Sequence, residues 1–152
     1  MRICVISDTH GLLRPEAVER LSGVERILHA GDIGRPEVIE ELETLAPVTA
    51  VRGNVDLGDW AEAFPETAVV QCAGRSLYLL HDVKQLALDP AAEGIEVVIS
   101  GHSHKPRIET EGGVLYLNPG SAGPRRFSLP IALAILELGP GAPRAEILEI
   151  EP

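Results

Sequence analysis

The first fifty residues alternate between short apolar runs and proline-opened segments, and that alternation limits the folds open to the chain more than any other feature. Residues 2–7, 25–30 and 48–52 are apolar runs that each lead into Ser, Gly or Asp. Between them lie Pro15–Leu21 and Pro36–Leu45. Proline suits the first turn of a helix, where its missing N–H has no intrahelical partner to lose. Strand–helix–strand–helix–strand at this spacing predicts a parallel α/β unit.

The rest of the chain changes character. Ala68–Cys72 and Ser76–His81 flank Ala73-Gly74-Arg75 as a hairpin, and Arg107–Thr110 and Val114–Leu117 flank Glu111-Gly112-Gly113 as another. Glu96–Ser100 is almost wholly apolar and β-branched, which suits a buried strand. Ile131–Leu138 and Ala145–Ile150 make a last pair around the turn at 139–143. The expected architecture is α/β, with two mixed β-sheets packed face to face and flanked by helices. The pairing is expected to be parallel at the start and antiparallel at the end.

Length and charge narrow the partners. The 152 residues fit a single domain, residues 1–152, with one core. Aromatics are only 3%, too few for a platform on which single-stranded bases stack. The net charge of −10 repels phosphate backbones, so a phosphate-bearing ligand needs a local positive centre, which bound metal would supply. The run at 2–7 is too short for a signal peptide or a membrane span, which predicts a cytoplasmic chain with no membrane partner. Cys4 and Cys72 stand alone and read as buried reduced thiols rather than a disulfide.

The five histidines fall at the ends of strand-like runs, beside Gly, Asp or Ser. The clusters are Ser7-Asp8-Thr9-His10-Gly11, His29-Ala30-Gly31-Asp32, Gly53-Asn54, His81-Asp82 and Gly101-His102-Ser103-His104. Ligands of open α/β sheets collect beyond the carboxyl ends of strands, so these clusters can meet in one crevice. Asp8-x-His10 and His102-x-His104, read as extended backbone, put two donors on one side, which suits one ion. Asp8 is otherwise a turn residue beside an incidental histidine. Asp32 is either a helix cap ahead of Pro36 or a carboxylate that bridges two ions. Asn54 is a turn residue or an amide-oxygen ligand, and His81 a strand-end histidine or a ligand. His29, inside its strand end, reads as structural, with a supporting hydrogen bond.

Charge counting favours an anionic substrate. Ionised Asp8 and Asp32 supply −2 against +4 from two divalent ions, and the surplus attracts phosphate and acidifies bound water. Mixed nitrogen and oxygen donors suit Mn, Fe, Co, Ni or Zn rather than a closed, Cys-rich structural site.

The ordered set Asp-x-His, Gly-Asp, Gly-Asn, strand-end His and Gly-His-x-His resembles the calcineurin-like metallophosphoesterase superfamily from residue 3 to about residue 126. The compact length, Ser-Asp-Thr-His-Gly near the start and Asn118-Pro119-Gly120-Ser121 near the end resemble its small prokaryotic phosphodiesterase branch. The resemblance implies a four-layer α/β/β/α sandwich and a metal-dependent phosphodiesterase. One ion would take Asp8, His10, Asp32 and His104, and the other Asp32, Asn54, His81 and His102. A hydroxide between the two ions, held through Asp32 with support from His102 and Asn54, would attack phosphorus in line with the leaving oxygen. Manganese leads the metals implied, with Ni, Fe, Co or Zn behind it. A small phosphodiester rather than a nucleic-acid polymer is the implied substrate, and a homodimer the implied assembly.

Two positions depart from the family pattern. Val55 stands where many members carry a histidine after the Asn; the small branch also lacks it, which points to substrates with good leaving groups or to another proton donor. Asp82 follows His81 where members often have Gly. Arg125 and Arg126 either contact substrate phosphate or are solvated surface charges. Trp60 either stacks on a base or packs. The competing reading is an interaction module, because the same fold resembles the eukaryotic retromer scaffold subunit. Retention of His10 and of every other ligand type favours the enzyme. A nuclease is disfavoured by the acidic charge and the lack of a DNA-binding extension.

Overall fold

In the computed structural model, which describes residues 1–151, ten strands form two five-stranded sheets. The first sheet has the order β10-β9-β1-β2-β3, built from β1 (Arg2–Ile6), β2 (Arg26–His29), β3 (Val48–Ala50), β9 (Ala132–Glu137) and β10 (Arg144–Glu149). Strands β1, β2 and β3 run parallel, with Ile3 opposite Arg26 and Ile27 opposite Val48. Strand β9 joins the other side of β1 antiparallel.

The second sheet has the order β4-β5-β6-β8-β7, from β4 (Thr67–Cys72), β5 (Arg75–Leu80), β6 (Ile95–Ile99), β7 (Arg107–Glu111) and β8 (Val114–Asn118). Its centre corrects the antiparallel expectation: β5, β6 and β8 run parallel, and only the edge hairpins β4–β5 and β7–β8 are antiparallel. The apolar run of β6 carries the physical reason. A strand buried on both faces belongs between parallel neighbours. The β4–β5 hairpin turns at Ala73 and Gly74, both with positive φ (51° and 75°), the two-residue turn whose twist matches paired strands.

Three apolar layers hold the sheets. Between them, Ile3, Val5, Leu28 and Leu136 meet Leu77, Leu79, Val97, Ile99 and Leu117. Outside the first sheet, Cys4, Ile6, Ile27, Leu133 and Ile135 pack against α2 (Pro36–Glu43) through Val38, Ile39 and Leu42, and against α1 (Pro15–Val18) through Ala17. Full burial of each large aliphatic here stabilises by about 1.5–3 kcal/mol. Helix α1 is a single turn continued by a 3-10 turn at Glu19–Leu21. Outside the second sheet the covering layer is irregular: Val83, Leu86 and Leu88 lie over Ile95, Val98 and Val114, with one 3-10 turn at Val83–Gln85. Pro90 and Gly94 interrupt this stretch, so the fourth layer is thin.

Both thiols are free and buried, Cys4 outside the first sheet and Cys72 between the sheets. Among the described residues, no helix is long and apolar enough to cross a membrane.

Candidate metal centre

The carboxyl ends of β1, β2, β3, β5 and β6 release their chains into loops that are stitched to one another. Asp8 N–H donates to Gly31 C=O (2.9 Å), His10 N–H to Asp32 C=O (2.9 Å) and Gly11 N–H to Ile33 C=O (2.7 Å). Gly101 N–H donates to His81 C=O at 2.9 Å, which links the two loops of the second sheet. These segments are not extended, contrary to the basis on which Asp-x-His and His-x-His place their donors together. Asp8 (φ 55°), His10 (47°), Asp32 (55°), His102 (70°) and His104 (62°) are all left-handed. Alternate left-handed residues coil each loop, so that Asp8, His10 and His104 face one hollow and His102 stands at its rim. Each such residue costs on the order of 1–3 kcal/mol and persists only where its surroundings over-determine it. Gly101 is required by close approach, since a Cβ there would meet Ser7 Oγ and Asp8 Oδ2.

The two carboxylates divide their oxygens in the same way. Fully buried Asp8 accepts at Oδ2 from Ser7 Oγ–H (2.6 Å) and His102 N–H (3.1 Å). Its Oδ1 has no hydrogen-bond partner and faces His104 Nε2 at 3.4 Å and the Nε2 atoms of His10 and His81 at 3.9 Å each. Asp32 accepts at Oδ1 from Val55 N–H (3.0 Å) and turns Oδ2 toward His81 Nε2 (3.2 Å) and His10 Nε2 (3.6 Å). His81 Nδ1–H donates to Ala30 C=O at 2.8 Å, which leaves a neutral ring's lone pair on Nε2. His10 Nε2 and His104 Nε2 face each other at 3.4 Å, and His102 Nδ1 lies 3.3 Å from His81 Nε2. Lone pairs therefore converge from carboxylates and imidazoles on points that only protons or cations can satisfy. Asp8, His10 and His104 form one group with ligand atoms within 4.8 Å of one another, and Asp8, Asp32 and His81 form a second. The residues present fit a divalent cation, with distances between donors that leave room for an ion at about 2 Å from each.

Electrostatics agree with that fit. Without an ion, burial alone would raise the Asp32 carboxyl; a proton on His81 Nε2, donated to Asp32, and the Val55 N–H outweigh it and hold it down at about 2. Burial alone would lower His81, and Asp32 and Asp8 together reverse it, so its pKa is raised.

The other residues singled out in the sequence fall outside this inner group. Asn54 is exposed and lines a cavity of about 290 Å³ with His81 and Asp82. His102 is exposed at the rim, with Nε2 3.9 Å from Asp82 Oδ2. Arg125 and Arg126 are exposed and line neither that cavity nor the one beside His102. Trp60 packs against the outer core and meets Phe64 edge-on at 6.2 Å, the packing reading rather than the stacking one. His29 is fully buried: Nδ1 accepts from Gly31 N–H (3.1 Å), so Nε2 carries the proton toward Thr9 Oγ (3.1 Å), whose own hydrogen goes to Ile33 C=O (2.8 Å). Burial pushes its pKa down to about 4.

Asp56 is the functional neighbour that sequence reasoning missed. Buried, it accepts from Ile33 N–H (3.1 Å), Gly34 N–H (2.9 Å) and Gly53 N–H (2.8 Å), and so ties the Asp32 loop to the Asn54 loop. Its one local signal is the Gly53-Asn54-Val55-Asp56 turn; the other two donors come from a distant loop. Asn118 and Ser121 brace the centre as well, through Asn118 Nδ2–H to Gly101 C=O (2.9 Å) and Ser121 Oγ–H to Asp8 C=O (2.9 Å).

Comparison with known proteins adds four findings. The family description "calcineurin-like phosphoesterase superfamily domain" matches residues 1–140. A probable metallophosphoesterase of Methanothermobacter thermautotrophicus is 39% identical over 147 residues, which cover 89% of this chain and 85% of that one. Among solved structures, an archaeal phosphodiesterase superposes with a TM-score of 0.80 at 28% identity, covering 97% of this chain and 100% of its own. Vps29 of Entamoeba histolytica, solved with zinc, superposes with a TM-score of 0.75 at 25% identity, covering 98% and 99%.

Proposed function

The chain belongs to the calcineurin-like phosphoesterase superfamily, and from that premise we propose that it is a binuclear metal-dependent phosphodiesterase acting on small phosphodiesters. One observation carries the reading: two buried carboxylates each commit one oxygen to the scaffold and aim the other at histidine nitrogens 3.2–3.9 Å away. Asp8, His10, Asp32 and His104 would hold one ion, and Asp32, Asn54, His81 and His102 the other. Asp32 Oδ2 faces both His10 and His81, so its carboxylate would serve both ions. Manganese is the metal proposed first, ahead of Ni, Fe, Co and Zn. Bound there, two divalent cations supply Lewis-acid polarisation of the phosphoryl oxygens and hydroxide near neutral pH.

The protein's own contribution is preorganisation. Ser7 and the His102 N–H fix the Asp8 carboxylate, Val55 N–H fixes Asp32, and Ala30 C=O fixes the His81 ring before anything binds. Val55 offers no proton to a departing alkoxide, so the reading calls for leaving groups that depart as stable anions. The acidic surface keeps polymeric nucleic acid away while the centre itself draws a small anion. A cytoplasmic location and a homodimer belong to this reading.

A second reading, a binding module on the same fold, draws support from the likeness to Vps29. The hydrolase is favoured because five left-handed non-glycine residues are maintained at the centre, and strain of that kind is held where geometry matters. The deciding assay uses chelator-stripped protein and bis-para-nitrophenyl phosphate, with and without manganese, beside His104→Ala. Metal-dependent turnover that disappears in the variant is expected. A folded protein with no turnover on any transition metal would sink the reading.

A further inference from the structure

The chain contains only two lysines, Lys84 and Lys105, and both line the same cavity of about 420 Å³ that opens beside His102. They reach it from different elements, Lys84 from the irregular segment after β5 and Lys105 from the loop before β7. Among the described residues, neither ammonium group has an ion-pair partner. Arg107, on the same wall, is engaged by Glu109 at 2.9 Å and Glu111 at 3.3 Å. Counting every charge that lines the cavity, Lys84, Lys105 and Arg107 stand against Asp82 and Glu109, a balance of +1 in a chain of net −10. Ile108, an exposed aliphatic, adds an apolar wall.

The cavity on the other side of Asp82 has the opposite character. Its one cation, Arg52, already donates to Phe64 C=O (3.0 Å) and lies 3.4 Å from Glu66. A phosphodiester has two arms, and here two clefts adjoin the candidate centre with unequal charge. An arm with a second negative charge would be repelled by the Glu66 cleft and held by the lysine cleft.

We propose that the lysine cleft is the subsite for one arm of the substrate, and that this arm carries a second anionic group, a phosphate or carboxylate, on a short apolar stem. The inference rests on the phosphodiesterase reading and deepens it, since it names the substrate class as an unsymmetrical, singly tailed diester. The scissile phosphate sits at the Asp8–Asp32 centre, the stem crosses His102 and Ile108, and the terminal anion lies between the two ammonium groups. Recognition by two flexible point charges tolerates either terminal group, whereas a planar guanidinium would select bidentate geometry.

The test is binding and turnover together, on the manganese-loaded full chain. By calorimetry, alkane-1,ω-bisphosphonates of three to six carbons are compared with the monophosphonates of the same length. The bisphosphonate of fitting length is expected to bind about tenfold tighter or better. The double variant Lys84→Ala/Lys105→Ala should erase that advantage, while Arg144→Ala, on the far edge of the first sheet, should keep it. Para-nitrophenyl diesters with and without an ω-phosphate tail then report turnover, and the tailed ester should show the higher kcat/KM. Equal affinities, or an advantage that survives in the double variant, would overturn the cleft assignment. Lysine-dependent binding without hydrolysis of either ester would uphold the cleft and overturn the hydrolase. Restoration of the advantage in Lys84→Arg/Lys105→Arg at the same tail length, with a carboxylate tail rejected, would replace the two-source anion by phosphate alone.

Discussion

The two halves of the candidate centre are built differently. Asp8 and His104 are buried and almost inaccessible, with His10 half-buried beside them, and Asp8 is held by a hydroxyl and a backbone N–H. Around Asn54 and His102 the donors stand on exposed loops, and His81 alone is anchored, through Ala30. The difference teaches that the first half is assembled by folding itself, whereas on the two-ion reading the second would be completed only when a cation arrives. Affinity should follow, with a tight first ion and a weaker second one.

The most severe way to break that contrast is to disarm the buried half. Asp8→Asn keeps the shape but removes the charge that three imidazoles face, and metal-dependent kcat should fall by at least about a hundredfold, read by steady-state kinetics at saturating manganese. Loss of activity no greater than in an Asn54 variant would erase the distinction.

Asp56→Ala strands three backbone N–H donors of the two loops. About 3 kcal/mol of stability should go, measured by urea denaturation of the metal-free protein. An unchanged midpoint would mean that the loops hold their shape without it. A shift of similar size is expected from pH. His29 has a folded pKa of about 4 against 6.5 when unfolded, so the unfolded chain binds the proton first. The stabilisation from the neutral ring is complete above about pH 6.5 and is lost as pH falls toward 4, roughly 3 kcal/mol in all. In thermal unfolding of chelated protein, His29→Gln should flatten this slope; a slope identical to wild type would assign the loss to other groups. The gentlest probe is His102→Ala, which should weaken only the second ion, by about tenfold to a hundredfold, with activity recovered at higher manganese. Loss of both ions in calorimetry would show that the halves are one unit.

Much of this was legible in the amino acids, for physical reasons that can be named. Strand ends such as Ile6-Ser7-Asp8 and Ile99-Ser100-Gly101 show an abrupt change from apolar to polar, and topology brings such ends together. The left-handed backbone of Asp8, His10, His102 and His104 was not legible, because Asp-x-His reads equally as extended chain until neighbouring loops impose the coil. Asp56 was hidden because two of its three donors come from residues 33 and 34. The parallel centre of the second sheet was obscured by its two hairpins, whose local turn signals say nothing about how β6 and β8 align.

The bracing of Asp8 by Ser121 joins residues 113 positions apart, and β1 lies between β2 and the late strand β9. During synthesis Asp8, His10 and Asp32 therefore emerge long before the residues that complete their surroundings. A ribosome-bound chain stopped short of residue 100 carries the early carboxylates without His102 or His104, and has no closed cage in which to retain an ion. Contacts of such span slow folding, and the full donor set exists only once the polypeptide is nearly whole. On the two-ion reading, loading would come late in synthesis.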